Sequence, residues 1–263
     1  MTQNPNHELG VYSSMFSAKT DVQVQDGGVV TSLLLKGLCE GLFDAAIVTR
    51  RIQGYRAEAV VAQTPKKVLA AAGTMYLKVN VSAKLRELIA QGKRRIAVVC
   101  TPCEAAVARK IQQRMGESCE VTVIGLFCFE AFNHDKLKTQ LQTQLGINLD
   151  YVGKTQVKNG KFIAETGEGQ VSCKVKDLHT ASEASCSFCA DFTSEQADIS
   201  IGSVGSGEGY STVIVRTLKG EKLVTVLNAQ KTDVNTPEIA KLANFKRSRA
   251  QKNLSESGRQ QKT

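Results

Sequence analysis

The sequence predicts an α/β fold, a single domain with a mainly parallel central sheet flanked by helices plus a peripheral β-hairpin region. Three observations lead there. The stretches 93–99 and 121–127 carry apolar runs of strand length, as expected of strands covered on both faces. Each is followed by a helical pattern, over 104–111 and 135–145, which is the alternation of βαβ units. Between 156 and 175 that alternation stops, and Asn159-Gly160 and Gly167-Glu168-Gly169 punctuate polar sequence that reads as a hairpin of two short strands.

Taken in order, 11–18 has the β-former content of an opening strand with loose alternation. Gln25-Asp26-Gly27-Gly28 then leads into 29–42, a largely buried helix on which Cys39 reads as a small core residue. An acidic residue and two glycines at a helix start leave backbone N–H groups open to an anionic group; a plain capped turn has the same signature. Strands are expected at 43–49 and 55–62. Thr64-Pro65 opens a short helix that stops at Ala72-Gly73-Thr74. The segment 82–91 is an amphipathic helix with Leu85, Leu88 and Ile89 on one face, ended by Gly92.

The two apolar strands lead into Cys100-Thr101-Pro102-Cys103 and Cys128-Phe129-Glu130. Neighbouring parallel strands would thus each deliver a cysteine to the carboxyl edge of the sheet, where open α/β folds place ligands. A buried structural thiol is the other reading of Cys128. Further on, Cys186-Ser187-Phe188-Cys189 precedes a strand at 199–201, and Gly202-Ser203-Val204-Gly205-Ser206-Gly207-Glu208-Gly209 joins it to a strand at 211–217. No helix follows these glycines, so they are not a dinucleotide fingerprint. They suit main chain pressed against a flat cofactor, or simply a long hairpin turn. Lys219-Gly220-Glu221-Lys222 reads as a turn, 237–244 as a short helix, and 246–263 as a basic, flexible tail beyond a domain of 1–245.

At 263 residues the chain can bury a substantial core, and 42% apolar content marks an ordinary folded protein. With no run of about 18 apolar residues and no leader-like start, a cytoplasmic location and no membrane span are expected. Eight cysteines then point to metal or redox chemistry more than to a disulfide scaffold. The net charge of +9 suits an anionic ligand, an acidic partner or nucleic acid, and lies partly in the tail.

Two CxxC pairs can grip one metal centre, though they lie farther apart than the roughly 15 to 20 residues usual between zinc-ribbon pairs. Iron–sulfur clusters also take four thiolates from scattered positions. Five candidates compete for four places: Cys100, Cys103, Cys128, Cys186 and Cys189. A zinc-stabilised, basic RNA-binding protein remains one alternative. A thiol–disulfide oxidoreductase is another, because strand, CxxC and helix in that order resemble a thioredoxin-type loop. His7, His134 and His179 are scattered and receive no catalytic assignment.

Beside these residues stands a resemblance. Gln25-Asp26-Gly27-Gly28, Ala72-Gly73-Thr74, Thr101-Pro102-Cys103, Cys186-Ser187-Phe188-Cys189-Ala190-Asp191-Phe192 and Ala197-Asp198-Ile199-Ser200-Ile201-Gly202-Ser203-Val204-Gly205 resemble the β subunits of coenzyme F420-reducing hydrogenases and F420-linked dehydrogenases, in the family's order from about Tyr12 to Thr217. The resemblance implies an α/β domain that binds FAD, one 4Fe-4S cluster and coenzyme F420. Such a domain couples one-electron flow through the cluster to hydride transfer between FAD and F420, as an oxidoreductase subunit of a larger complex. Partner subunits with further iron–sulfur clusters would give or take the electrons, and no nucleic acid is involved. Carried over, the cluster ligands are Cys103, Cys128, Cys186 and Cys189. FAD would touch Gln25, Asp26, Gly27, Gly28, Ala72, Gly73, Thr74, Thr101, Pro102, Gly202, Ser203, Val204, Gly205, Ser206, Ser211 and Thr212. The chain departs from the family pattern at Cys100, Glu104 and Tyr210, where glycine, glutamine and tryptophan are usual, so Cys100 competes as a ligand. A relative using the same parts on another hydride acceptor is the remaining alternative. Arg50, Arg51 and Lys78 are candidate contacts for the anionic coenzyme.

Overall fold

The computed structural model describes residues 4–6 and 8–260. In chain order the elements are β1 (Asn4–Asn6), β2 (Gly10–Tyr12), β3 (Ser14–Lys19), α1 (Val29–Cys39), β4 (Ala45–Ile52), β5 (Arg56–Ala62), α2 (Pro65–Leu69), α3 (Val81–Ala90), β6 (Arg95–Cys100), α4 (Pro102–Met115), β7 (Glu120–Leu126), α5 (His134–Leu145), β8 (Thr155–Lys158), β9 (Lys161–Thr166), β10 (Gly169–Lys174), β11 (Ile199–Gly202), β12 (Ser211–Val215), α6 (Leu218–Thr225), β13 (Gln230–Thr232) and α7 (Thr236–Gln260). Among the described residues no helix is long and apolar enough to cross a membrane.

The main sheet has eight strands in the order β13-β3-β12-β11-β7-β6-β4-β5. Its middle, β11-β7-β6-β4, is parallel, and antiparallel strands extend it on both sides. The apolar runs read as doubly covered strands are just that. Val99 faces a core with Leu33 and Leu34 of α1 and Leu223 of α6, while Val98 faces one with Leu85 of α3 and Ile111 of α4. Alternate residues of one strand therefore fill two different cores.

The region 156–175 differs from the expected hairpin in forming three antiparallel strands, β10-β9-β8. Both punctuating turns close, and Asn159 and Gly160 adopt the positive φ values, 52° and 70°, that tight two-residue hairpins need. Phe162 and Ala164 of β9 make a third core with Leu137 and Leu141 of α5. Cys39, expected in the core, is exposed at the end of α1.

Two corrections fall in the last third of the chain. The expected turn at 219–222 lies inside α6, whose start is capped by the Thr217 hydroxyl accepting from the Gly220 N–H at 3.4 Å. Gly220 is there for space, since a Cβ would stand 2.1 Å from the Asp198 carbonyl. The expected short helix and the expected flexible tail as far as residue 260 are one helix, α7, of 25 residues, and 261–263 lie outside the described residues. Ile239, Ala243, Lys246 and Ala250 recur at helical spacing along its buried face, and small side chains let the helix lie close to the domain.

Asp198 ties the frame together. Its carboxylate accepts from the Val123 N–H at 2.8 Å and the Thr217 hydroxyl at 2.6 Å and pairs with Arg109 of α4 at 2.7 Å, while its carbonyl accepts from the Arg216 N–H at 2.9 Å. Asp198→Ala strands a largely buried guanidinium and two donors, and we expect it to cost about 3 kcal/mol. Urea unfolding monitored by circular dichroism checks this; an unchanged midpoint would contradict it.

Candidate functional site

Strand register sets the site. Cys100 is level with Gly125, and Leu126 with Ile201, so β6, β7 and β11 end side by side at one edge of the sheet. Thr101, Cys128 and Gly202 emerge there as neighbours along the wall of a 610 Å³ cavity. That volume lies within the range of about 300 to 1,000 Å³ typical of small-molecule and cofactor pockets. The loop before α1, the turn after α2, the β8–β9 turn and α7 enclose the rest.

The loops around the cavity are tied to one another. The Gln25 side-chain carbonyl accepts from the Thr74 N–H at 3.2 Å, and the Ser211 hydroxyl accepts from the Gly27 N–H at 3.1 Å. Neither loop position tolerates a larger residue: a Cβ on Gly27 would lie 2.2 Å from the Ala18 carbonyl, and Gly28 caps α1 at φ 69°. Within the glycine-rich segment, the Thr212 hydroxyl donates to the Val204 carbonyl at 2.7 Å and Ser206 bridges Thr212 and Ser17. The segment is thus both a hairpin connection and a cavity wall.

Of the residues expected to hold a flavin, Gln25, Asp26, Gly28, Ala72, Gly73, Thr74, Thr101, Gly202, Ser203, Val204 and Ser211 line the cavity. Gly27, Pro102, Gly205, Ser206 and Thr212 stand behind it. Gly205 packs on α7, where a Cβ would meet Ile239 at 2.7 Å, and its carbonyl accepts from the Asn235 N–H at 2.8 Å. Arg50 pairs with Glu58, Arg51 donates to the Val152 and Gly153 carbonyls, and Lys78 donates to Ser185; none of the three lines the cavity.

Burial raises the Cys128 thiol to about 12, opposed by the charge of Lys246 and reinforced by Cys186, Cys103 and Cys189. Cys186 is likewise raised by burial and pulled back by its bond to the Ala131 backbone, then by Lys246. Cys103 is exposed on the first turn of α4, 3.3 Å from the Thr101 hydroxyl. Cys100 is buried in β6 and its thiol is pushed up by that burial, which keeps it protonated; a thioredoxin-type nucleophile needs the opposite shift. Among the described residues no three Cys, His, Asp or Glu side chains gather tightly enough to share a single ion.

Sequence reasoning placed a helix at 237–244 and missed its continuation, the part of α7 that closes this site. Lys246 donates to the Cys128 and Asp191 carbonyls at 2.5 and 2.7 Å. Arg249 donates to the Cys186 carbonyl at 3.3 Å and lies 4.4 Å over the Phe129 ring, and Asn253 donates to the Ser187 carbonyl at 2.8 Å. Phe129 also stacks on Phe245 of α7 at 5.8 Å. The legible signal was the spacing of Ile239, Ala243 and Ala250, which a polar composition hid.

Comparison with known proteins gives matches over nearly the whole described chain. Residues 15–86 and 93–239 match the models for the N-terminal and C-terminal parts of the coenzyme F420 hydrogenase/dehydrogenase β subunit. The chain is 38% identical over 227 residues to the coenzyme F420 hydrogenase β subunit of Methanococcus voltae, covering 82% of this chain and 81% of that one. It is 34% identical over 259 residues to the coenzyme F420-dependent sulfite reductase of Methanocaldococcus jannaschii, covering 92% of this chain and 41% of that longer protein. A chain of the F420-reducing [NiFe] hydrogenase complex from Methanosarcina barkeri superposes with a TM-score of 0.90 at 29% identity, over 97% of this chain and 95% of that one.

Asp26 gives the site a pH dependence. Burial raises its carboxyl above the ordinary value, more than Lys154 and Lys158 lower it. A carboxyl whose folded pKa exceeds its unfolded one destabilises the fold once ionised, so stability falls as pH rises through that interval. Asn tolerates the φ of 56° found at Asp26. Asp26→Asn should therefore raise the unfolding temperature at pH 7 and lose that advantage near and below about pH 4. Calorimetry at the two pH values checks it; a lower unfolding temperature at pH 7 would contradict it.

Proposed function

This chain belongs to the coenzyme F420 hydrogenase/dehydrogenase β-subunit family, and from that premise we propose that it is the flavin and iron–sulfur subunit of a larger F420-linked redox complex. The position of Cys128 carries the reading. It lines the cavity, and its backbone meets the loop after Cys189, donating to the Phe192 carbonyl at 2.9 Å and sharing Lys246 with the Asp191 carbonyl that accepts from the Cys189 thiol. A cofactor in the cavity and a cluster on the thiols would be neighbours across one residue.

The donor set fits a cluster. Four thiols are the ordinary ligands of a 4Fe-4S centre, which takes each on a different iron and spaces them more widely than a zinc ion with Zn–S bonds of about 2.3 Å. Cys103, Cys128, Cys186 and Cys189 would hold it. The cavity fits FAD in size and in kind: Gln25, Asp26, Gly27 and Gly28 at the start of α1, the turn of Ala72, Gly73 and Thr74, and the wall of Thr101, Gly202, Ser203, Val204 and Ser211 offer main chain and small polar groups. Bound there, a flavin exchanges a hydride with F420 and single electrons with the cluster.

The chain's own residues supply the rest. Bonds between Gln25 and Thr74 and between Gly27 and Ser211 hold the cavity loops at a fixed separation before any ligand arrives. Phe127, Phe129, Phe192 and Phe245 lie along the cavity beside Cys128 and exclude water there. Electrons enter or leave through a partner subunit with its own iron–sulfur clusters, and the complex works in the cytoplasm. The likeness to a sulfite reductase named for F420 favours a second reading, in which the same parts serve another final acceptor.

Anaerobically reconstituted protein is expected to bind FAD and iron with sulfide and to reduce F420 from an artificial one-electron donor. Cys189→Ala should keep its flavin, lose the visible absorption of the cluster and lose its iron. Unchanged iron content in that variant would overturn the ligand set, and a wild-type chain that binds flavin but leaves F420 oxidised would favour the second reading.

A further inference from the structure

Lys246 is a buried cation that the scheme above does not use. It is only 1% exposed, on the face of α7 otherwise given to Ile239, Ala243 and Ala250. An ammonium removed from water is costly unless opposite charge or well-aimed dipoles answer it. Here two main-chain carbonyls do so, those of Cys128 and Asp191, and among the described residues no carboxylate pairs with it. Arg247 and Arg249, its helical neighbours, each have one, Glu195 and Glu130.

Both carbonyls belong to the loops that carry the thiols. Cys128 is one of the four, and the Asp191 carbonyl also accepts from the Cys189 thiol at 3.6 Å. The Cys128 N–H donates to the Phe192 carbonyl at 2.9 Å, so the two loops already touch where Lys246 enters. Two dipoles orient an ammonium without balancing its charge. The balancing charge would come from the thiolates of a loaded cluster, whose two loops Lys246 already bridges.

We infer that Lys246 is the built-in counter-charge of the iron–sulfur site, a positioning residue that favours the reduced form of the cluster and so sets its potential. The inference rests on the cluster reading given above. One-electron reduction adds a single negative charge to the cluster and needs no proton; the electron comes from the partner subunit in the complex and from dithionite in a titration. A fixed positive charge in a poorly hydrated pocket stabilises the product of that step more than its reactant. A purely mechanical clamp would hold the loops and leave the potential alone.

The test compares the anaerobically reconstituted full chain with Lys246→Arg and Lys246→Gln. Arg keeps the charge; Gln keeps two N–H donors and loses it. Iron and sulfide content, the unfolding temperature of the iron-free chain, and the midpoint potential from a dithionite titration followed by electron paramagnetic resonance are measured for each. At a given potential the reduced-to-oxidised ratio of the Gln variant is expected to fall by about tenfold, equivalent to about 59 mV for a one-electron couple, with the Arg variant close to wild type. A Gln variant that folds but takes up no iron while the Arg variant loads normally supports the same conclusion. Equal potentials in wild type and Gln overturn it, as does failure of both variants to load, which would make lysine geometry rather than charge decisive. A wild-type chain that takes up neither iron nor sulfide defeats the cluster reading itself.

Discussion

The level ending of three parallel strands is the constraint on which the site depends. Parallel pairing of β6 with β7 and of β7 with β11 fixes Cys100 beside Gly125 and Leu126 beside Ile201. Whatever follows each strand must then emerge at one edge, so sequence segments roughly a hundred residues apart meet there. The packing there admits little slack: a Cβ on Gly202 would lie 2.2 Å from the Phe127 ring. Asp198, which bonds to β7, α4 and the start of α6 together, keeps β11 in that register.

A second constraint closes the site from outside the sheet. The glycine-rich connection from β11 to β12 packs through Gly205 on the start of α7, and the middle of the same helix grips the Cys128 and Cys186 loops through Lys246 and Arg249. One rigid element therefore spans from the cavity wall to the thiols. That arrangement couples the two halves of the proposed chemistry in space. Cys100 ends β6 as a buried thiol in the cavity wall, while Cys103 stands exposed on the first turn of α4.

Much of the fold was legible because burial on both faces leaves an unmistakable apolar run, as at 93–99 and 121–127. Helices with a clear face, such as that of Leu85 and Leu88, were legible for the same reason. What failed was local sequence whose meaning depends on a distant neighbour. Gly220 looked like a turn because nothing nearby reveals that the Asp198 carbonyl leaves no room for a side chain. The segment from Lys246 onward looked unstructured because its buried residues are one lysine and one alanine, and its stabilising partners are carbonyls on loops far upstream. Cys39 looked buried because cysteine usually is, whereas it ends its helix facing solvent. Spacing alone left five cysteines in competition; the family resemblance chose four.

Anomalous scattering at the iron edge, from anaerobically grown crystals of the chain loaded with iron, sulfide and flavin, tests the central claim most directly. The account predicts one iron centre among Cys103, Cys128, Cys186 and Cys189, with flavin density in the cavity on the far side of Cys128. Iron bound elsewhere, or flavin outside that cavity, would contradict it.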